Sequence, residues 1–173
     1  MLKKIVLIIL AVVLVLAIGF AVIGFVKPSF SGKLSVSVNA PVSKTFAVFN
    51  NTDNMSKWMN GFKSISNVSG EKNQVGSKWK MNFTENGREM VINETVTAFE
   101  PDKHFAFDMD DEFATFHIDI RFEENNGQTI ITQTSHGAGK GFIARSMIAL
   151  MSGSIQKQQT EMYNKLKALV ENQ

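Results

Sequence analysis

The hydrophobic pattern of the chain changes period along its length. Ile5–Val26 is apolar without interruption and carries no charge. As a helix it would span about 33 Å, close to the roughly 30 Å hydrocarbon core of a bilayer. From about residue 33 to residue 136 apolar and polar side chains alternate in short runs, the mark of half-buried strands. From Phe142 to Val170 the period lengthens again. Ile143, Met147, Met151, Ile155, Met162, Leu166 and Leu169 recur at steps of three, four or seven, which predicts a helix with these residues on one stripe. Such a helix would be roughly 43 Å long. A wide, curved sheet can bury that length, whereas a short helix cannot. The expected class is α+β, with a curved antiparallel sheet around a long C-terminal helix.

Between these ends the elements follow in order. Leu34, Val36 and Val38 alternate with serines, and Asn39-Ala40-Pro41 ends that strand. Val42–Asn50 predicts a short helix with Val42, Phe46 and Phe49 on one face. Asp53–Trp58 predicts a second, with Asp53 as its candidate cap. Lys63–Ser69, Ser77–Thr84, Met90–Phe99, His104–Met109, Thr115–Phe122 and Gln128–Ser135 then read as six strands. Asn86-Gly87 and Asn125-Asn126-Gly127 are hairpin signals. Gly137–Gly141 reads as a flexible loop, a candidate gate before the long helix.

The first apolar run reads as an uncleaved membrane anchor. A signal peptide would carry an apolar region of about 7–15 residues and a small-residue cleavage site, and Phe25-Val26-Lys27-Pro28 fits that poorly. Lys3 and Lys4 place the N-terminus in the cytoplasm and the domain outside, although Lys27 and Lys33 weigh the other way. The expected organisation is therefore 1–27 anchor, 28–32 linker and 33–173 folded domain. So short a linker holds the domain at the membrane surface.

Composition narrows the options. The chain of 173 residues carries 18 basic and 16 acidic side chains and no cysteine. Setting aside Lys3, Lys4 and Lys27 leaves 15 basic against 16 acidic, without the basic excess of a nucleic-acid surface. With 14 phenylalanines and one tyrosine, a dry, apolar interior is expected.

Several local words resemble the START-like superfamily, in its polyketide cyclase/dehydrase and lipid-transport group (SRPBCC, the helix-grip fold). They are Val38-Asn39-Ala40-Pro41-Val42 with Phe46, Asn54 to Trp58 continuing through Gly61 and Lys63-Ser64-Ile65, Val75-Gly76-Ser77-Lys78-Trp79, Phe99-Glu100-Pro101 with Phe105, and Leu166–Glu171. The resemblance covers about residues 33–171. It implies a cavity between the concave sheet and the long helix that holds an apolar ligand, such as a lipid or isoprenoid. By alternation, Trp79, Met81, Phe83, Phe105, Phe107, Phe116 and Ile118 would line the sheet side, and Met147 and Met151 the helix side. The same residues could instead be plain core.

Candidate chemistry is sparse. Glu94 is the one carboxylate in an otherwise apolar strand; facing inward, it could orient a ligand or act as a base. His136 lies where the last strand meets the helix and could donate a proton to a bound carbonyl. His117 and Asp119 fall on the solvent face. No HExxH, cysteine cluster or helical histidine pair is present, so neither metal nor cofactor is expected. Three readings follow: a membrane-tethered carrier of a hydrophobic molecule, a cyclase- or dehydratase-like enzyme using Glu94 and His136, and a ligand-free protein-interaction module.

Overall fold

A computed structural model describes residues 2–85 and 87–173. The elements run α1 (Leu2–Val26), β1 (Ser29–Val38), α2 (Val42–Phe49), a 3-10 turn (Thr52–Asn54), α3 (Met55–Trp58), β2 (Phe62–Ser69), β3 (Lys78–Glu85), β4 (Arg88–Glu100), β5 (His104–Asp110), β6 (Ala114–Asn125), β7 (Gln128–Gly139) and α4 (Gly141–Glu171). The strands form one antiparallel sheet in the order β1-β7-β6-β5-β4-β3-β2. Consecutive strands from β2 to β7 are neighbours because each is joined by a short turn. β1 crosses to pair with β7, and the intervening α2 and α3 close one end of the concave face. This is the helix-grip arrangement.

Side-chain alternation sets the concave face. Ile118, Ile120 and Phe122 of β6 are buried, while His117 and Arg121, which alternate with them, stay exposed. The principal core joins them to Val38, Ile131, Phe46, Phe49, Trp58, Tyr163, Leu166 and Val170. Phe46 packs edge-on to Phe122 at 5.1 Å and to Phe99 at 5.9 Å, so α2 is pinned to the sheet by aromatic contacts. At the far end Phe30, Ala114 and Ile148 form a second, smaller cluster. The β6–β7 hairpin turns through Asn126 and Gly127 at φ of +52° and +77°, the left-handed pair that a tight hairpin needs. Gly87 also has positive φ, +77°, whereas its expected turn partner Asn86 lies outside the described residues.

Four expectations about local structure change. β1 begins at Ser29, where Ser29 already pairs with Ala138, so residues 29–32 are strand and not linker. Asn51, not Asp53, caps the turn before α3: its Oδ1 accepts from the Asp53 N–H at 3.0 Å. Gly137–Gly139 is the end of β7 rather than a loop. A Cβ at Gly137 would overlap the Phe116 ring, and one at Gly139 would overlap the Ala144–Arg145 backbone. Those glycines let an aromatic ring and the start of α4 approach the strand. Finally, the buried stripe of α4 runs through Ala144, Ile148, Tyr163, Leu166 and Val170. Ile143, Met147 and Met151 are exposed. A four-residue step advances about 40° around a helix, so a chain of such steps walks off the face it shares with Ile155.

α1 stands mostly clear of the domain. It is long and apolar enough to cross a membrane. Only its last turns, Phe20, Ala21, Ile23 and Gly24, are partly or fully buried. Gly24 meets the first turns of α4, where a Cβ would overlap Ser146 Oγ and crowd the Phe142 carbonyl.

Candidate functional site

The concave face and α4 bound a cavity of about 130 Å³ that opens to solvent on one side. Strand register explains its floor. Trp79 lies opposite Glu94 and Glu94 opposite Met109; one row along, Val96 lies opposite Phe107 and Phe107 opposite Ile118. Phe105 and Ile120 face each other in the next row. These residues and Met81 line the cavity, with Met162 and Tyr163 of α4 above and Phe49, Met55, Trp58 and Met59 at one end. Thr52, Lys72 and Asn73, all at least partly exposed, rim its mouth.

Few polar groups enter this space. Tyr163 Oη donates to Gln133 Oε1 at 2.7 Å, and Gln133 Nε2 donates to Ser135 Oγ at 2.8 Å. Gln159 Nε2 reaches the same oxygen at 3.2 Å. Burial pushes the Tyr163 phenol far above its usual range, so it remains a donor. Trp79 Nε1 is satisfied by Ser77 Oγ at 3.2 Å. Two groups are not satisfied. Glu94 is 7% exposed and, among the described residues, makes no hydrogen bond or ion pair. Burial pushes its carboxyl up to about 7. Trp58 is 4% exposed, and its Nε1–H has no partner among the described residues. The indole N–H is sealed in the packing, whereas the carboxyl lines the apolar cavity without a partner, which is unusual.

Of the residues expected from alternation, Trp79, Met81, Phe105, Phe107 and Ile118 come together in the cavity with Glu94. The others do not. Phe83 packs edge-on to Phe62 at 5.7 Å, where β2 pairs with β3. Phe116 shares the inward face but packs against Phe30 at 6.2 Å in the second cluster. Met147 and Met151 point away from the sheet, for the helical reason given above. His136 is exposed because it alternates with buried Ser135; it sits on the convex face beside Ser31 Oγ at 3.0 Å. It therefore cannot act on a cavity occupant. His117 pairs with Asp108, and His104 with Asp119, each at 2.7 Å and outside the cavity. Sequence reasoning missed Trp58, Gln133, Gln159 and Tyr163. Tyr163 is the only tyrosine and lies three residues before Leu166 on the buried stripe, a signal that could have found it.

A family model described as polyketide cyclase/dehydrase and lipid transport matches residues 29–171. The chain belongs to this family. Among curated proteins, no match was found. Solved structures match this family member in fold. An aromatase/cyclase from Streptomyces sp. R1128 superposes with a TM-score of 0.69 at 9% identity, covering 83% of this chain and 94% of that one. A structure titled Ara h 8.0201 has a TM-score of 0.66 at 13% identity, covering 84% and 99%. A conserved protein from Geobacillus kaustophilus has a TM-score of 0.66 at 15% identity, covering 83% and 96%. At such identities the likeness is one of fold alone.

Proposed function

We propose that the protein binds a small hydrophobic molecule, lipid- or isoprenoid-like, in the cavity under α4 while α1 holds it at a membrane. The observation that carries this reading is an apolar cavity lined by one buried carboxyl, Glu94, that has no ion pair or hydrogen bond among the described residues. Ligand pockets combine apolar walls with a few polar groups that fix orientation. An occupant with one polar group that hydrogen-bonds the Glu94 carboxyl would satisfy it. About 130 Å³ is near the roughly 150 Å³ that holds a benzene ring. It suits a compact ring or a branched isoprenoid segment, not a whole phospholipid. The contact of Gly24 with Ser146 supports α1 as a retained anchor rather than a removed leader. Lys3 and Lys4 favour a cytoplasmic N-terminus with the domain outside.

The test uses the full chain in mild detergent with 1-naphthol as probe. Saturable binding at one site is expected, lost in Met109→Trp, which fills the cavity from a half-buried position. Equal uptake by both proteins, or none by either, would remove the carrier reading.

One feature favours a second reading. A carboxyl near 7 inside an apolar site can give or take a proton at neutral pH, as a cyclase or dehydratase needs. If the protein is an enzyme, Glu94→Gln keeps naphthol binding and loses turnover.

A further inference from the structure

Outside α1, a group of exposed apolar side chains lies at the start of α4, while Val68, Val75, Met90 and Val91 are exposed elsewhere. Phe142, Ile143, Met147, Leu150 and Met151 are between 39% and 59% exposed. At about 100° per residue, Ile143, Met147, Leu150 and Met151 fall within an arc of roughly 100°. That arc lies between two occupied sides of the helix. On one side Ser146 meets Gly24 of α1. On the other, Ala144 and Ile148 are buried towards the sheet. The arc therefore borders α1, whose Val22 and Phe25 are themselves exposed. Within residues 141–156 the single charge is Arg145. An apolar patch of this kind on a soluble surface marks an interaction site.

Local charge tells which kind of surface fits. Lys140 is already paired with Asp110 at 2.7 Å, and Asp111 and Glu112 lie at the same end of the fold. Phe113, exposed beside them, accepts a hydrogen bond from the Lys140 N–H at 2.7 Å. Basic residues are not in excess there, so headgroup charge is not the attraction. Apolar insertion is.

We propose that the first three turns of α4 lie in the bilayer beside the end of α1, at the boundary of headgroups and acyl chains. The membrane contact would then be a helix pair that fixes the domain's orientation, not a single swivelling stalk. This rests on the reading of α1 as a retained anchor. The cavity-lining Gln159 follows Leu150 by about 14 Å along the same helix, so the orientation also sets how far the cavity stands from lipid.

The absence of cysteine makes the test direct. Single cysteines at Leu14→Cys, Leu150→Cys and Lys167→Cys carry an environment-sensitive fluorophore, with the full chain reconstituted in phosphatidylcholine vesicles. Nitroxide placed deep in the acyl chain is expected to quench position 14 most and nitroxide placed near the headgroup to quench position 150 most, with position 167 several-fold less affected by either. Adding anionic lipid should leave the pattern unchanged. Quenching at 14 but not at 150 overturns the proposal and leaves the anchor intact. Quenching at neither overturns both. A probe at 150 that is shielded from aqueous iodide yet untouched by nitroxide lipid means that protein covers the patch, and also overturns it.

Discussion

Glu94 is held between Trp79 and Met109 across the sheet, with no donor to stabilise its charge. Its carboxyl stays protonated in the fold up to about pH 7, against an ordinary value of 4.5. The unfolded chain ionises it earlier. Stability linked to this group is therefore full below about 4.5 and declines as pH rises towards 7. The shift corresponds to a loss of up to about 3 kcal/mol. Glu94→Gln should flatten that decline, so urea unfolding near pH 5 and near pH 8 would separate the variants chiefly at the higher value. Tyr163 works by a different rule. Its hydroxyl is the donor to Gln133 Oε1 inside the core. Tyr163→Phe leaves that oxygen unpartnered and should cost about 1–3 kcal/mol in the same unfolding measurement.

At the scale of elements, the glycines do two different things. Gly137 makes room for the Phe116 ring inside β7. Gly137→Ala forces that ring to move and should lower stability by about 1–3 kcal/mol. Gly153 lies on the exposed side of α4, where an added Cβ meets nothing within 4 Å. Gly153→Ala should raise stability by roughly 0.5–1 kcal/mol, because alanine loses less backbone freedom in a helix interior. Thermal melts of the two variants should move in opposite directions. The same comparison explains why the glycine-rich run before α4 read as a loop. Composition signals freedom, but here the missing side chains serve close packing between strand, ring and helix.

In the whole molecule, the fold binds together a closed core at one end, a cavity in the middle and an apolar helix pair at the other. A ligand that occupies only the folded cavity stabilises it by mass action. At a hundredfold excess of 1-naphthol over its Kd, the domain should gain about 2.7 kcal/mol, read as a rise in Tm that Met109→Trp abolishes. The strand sequence, the two short helices, the long final helix and the leading apolar span could all be read from periodicity. So could the inward side of β5 and β6, because a period of two leaves one choice of face. The side of His136 does not follow from the pattern: alternation up to Ser135 predicts the strand's end there, but β7 continues to Gly139 and one more residue of strict alternation turns His136 outward.

Local pattern thus determined what each segment is and which side of each strand is apolar, since both follow from backbone geometry repeated over a few residues. Packing in three dimensions decided the rest. The turn of α4 about its axis accumulates over many residues, and contact with the sheet and with α1 sets it; this sends Met147 and Met151 outward and Tyr163 inward. Whether space remains between facing side chains depends on volumes from distant parts of the chain. Only their assembly leaves the Glu94 carboxyl unpaired beside a cavity.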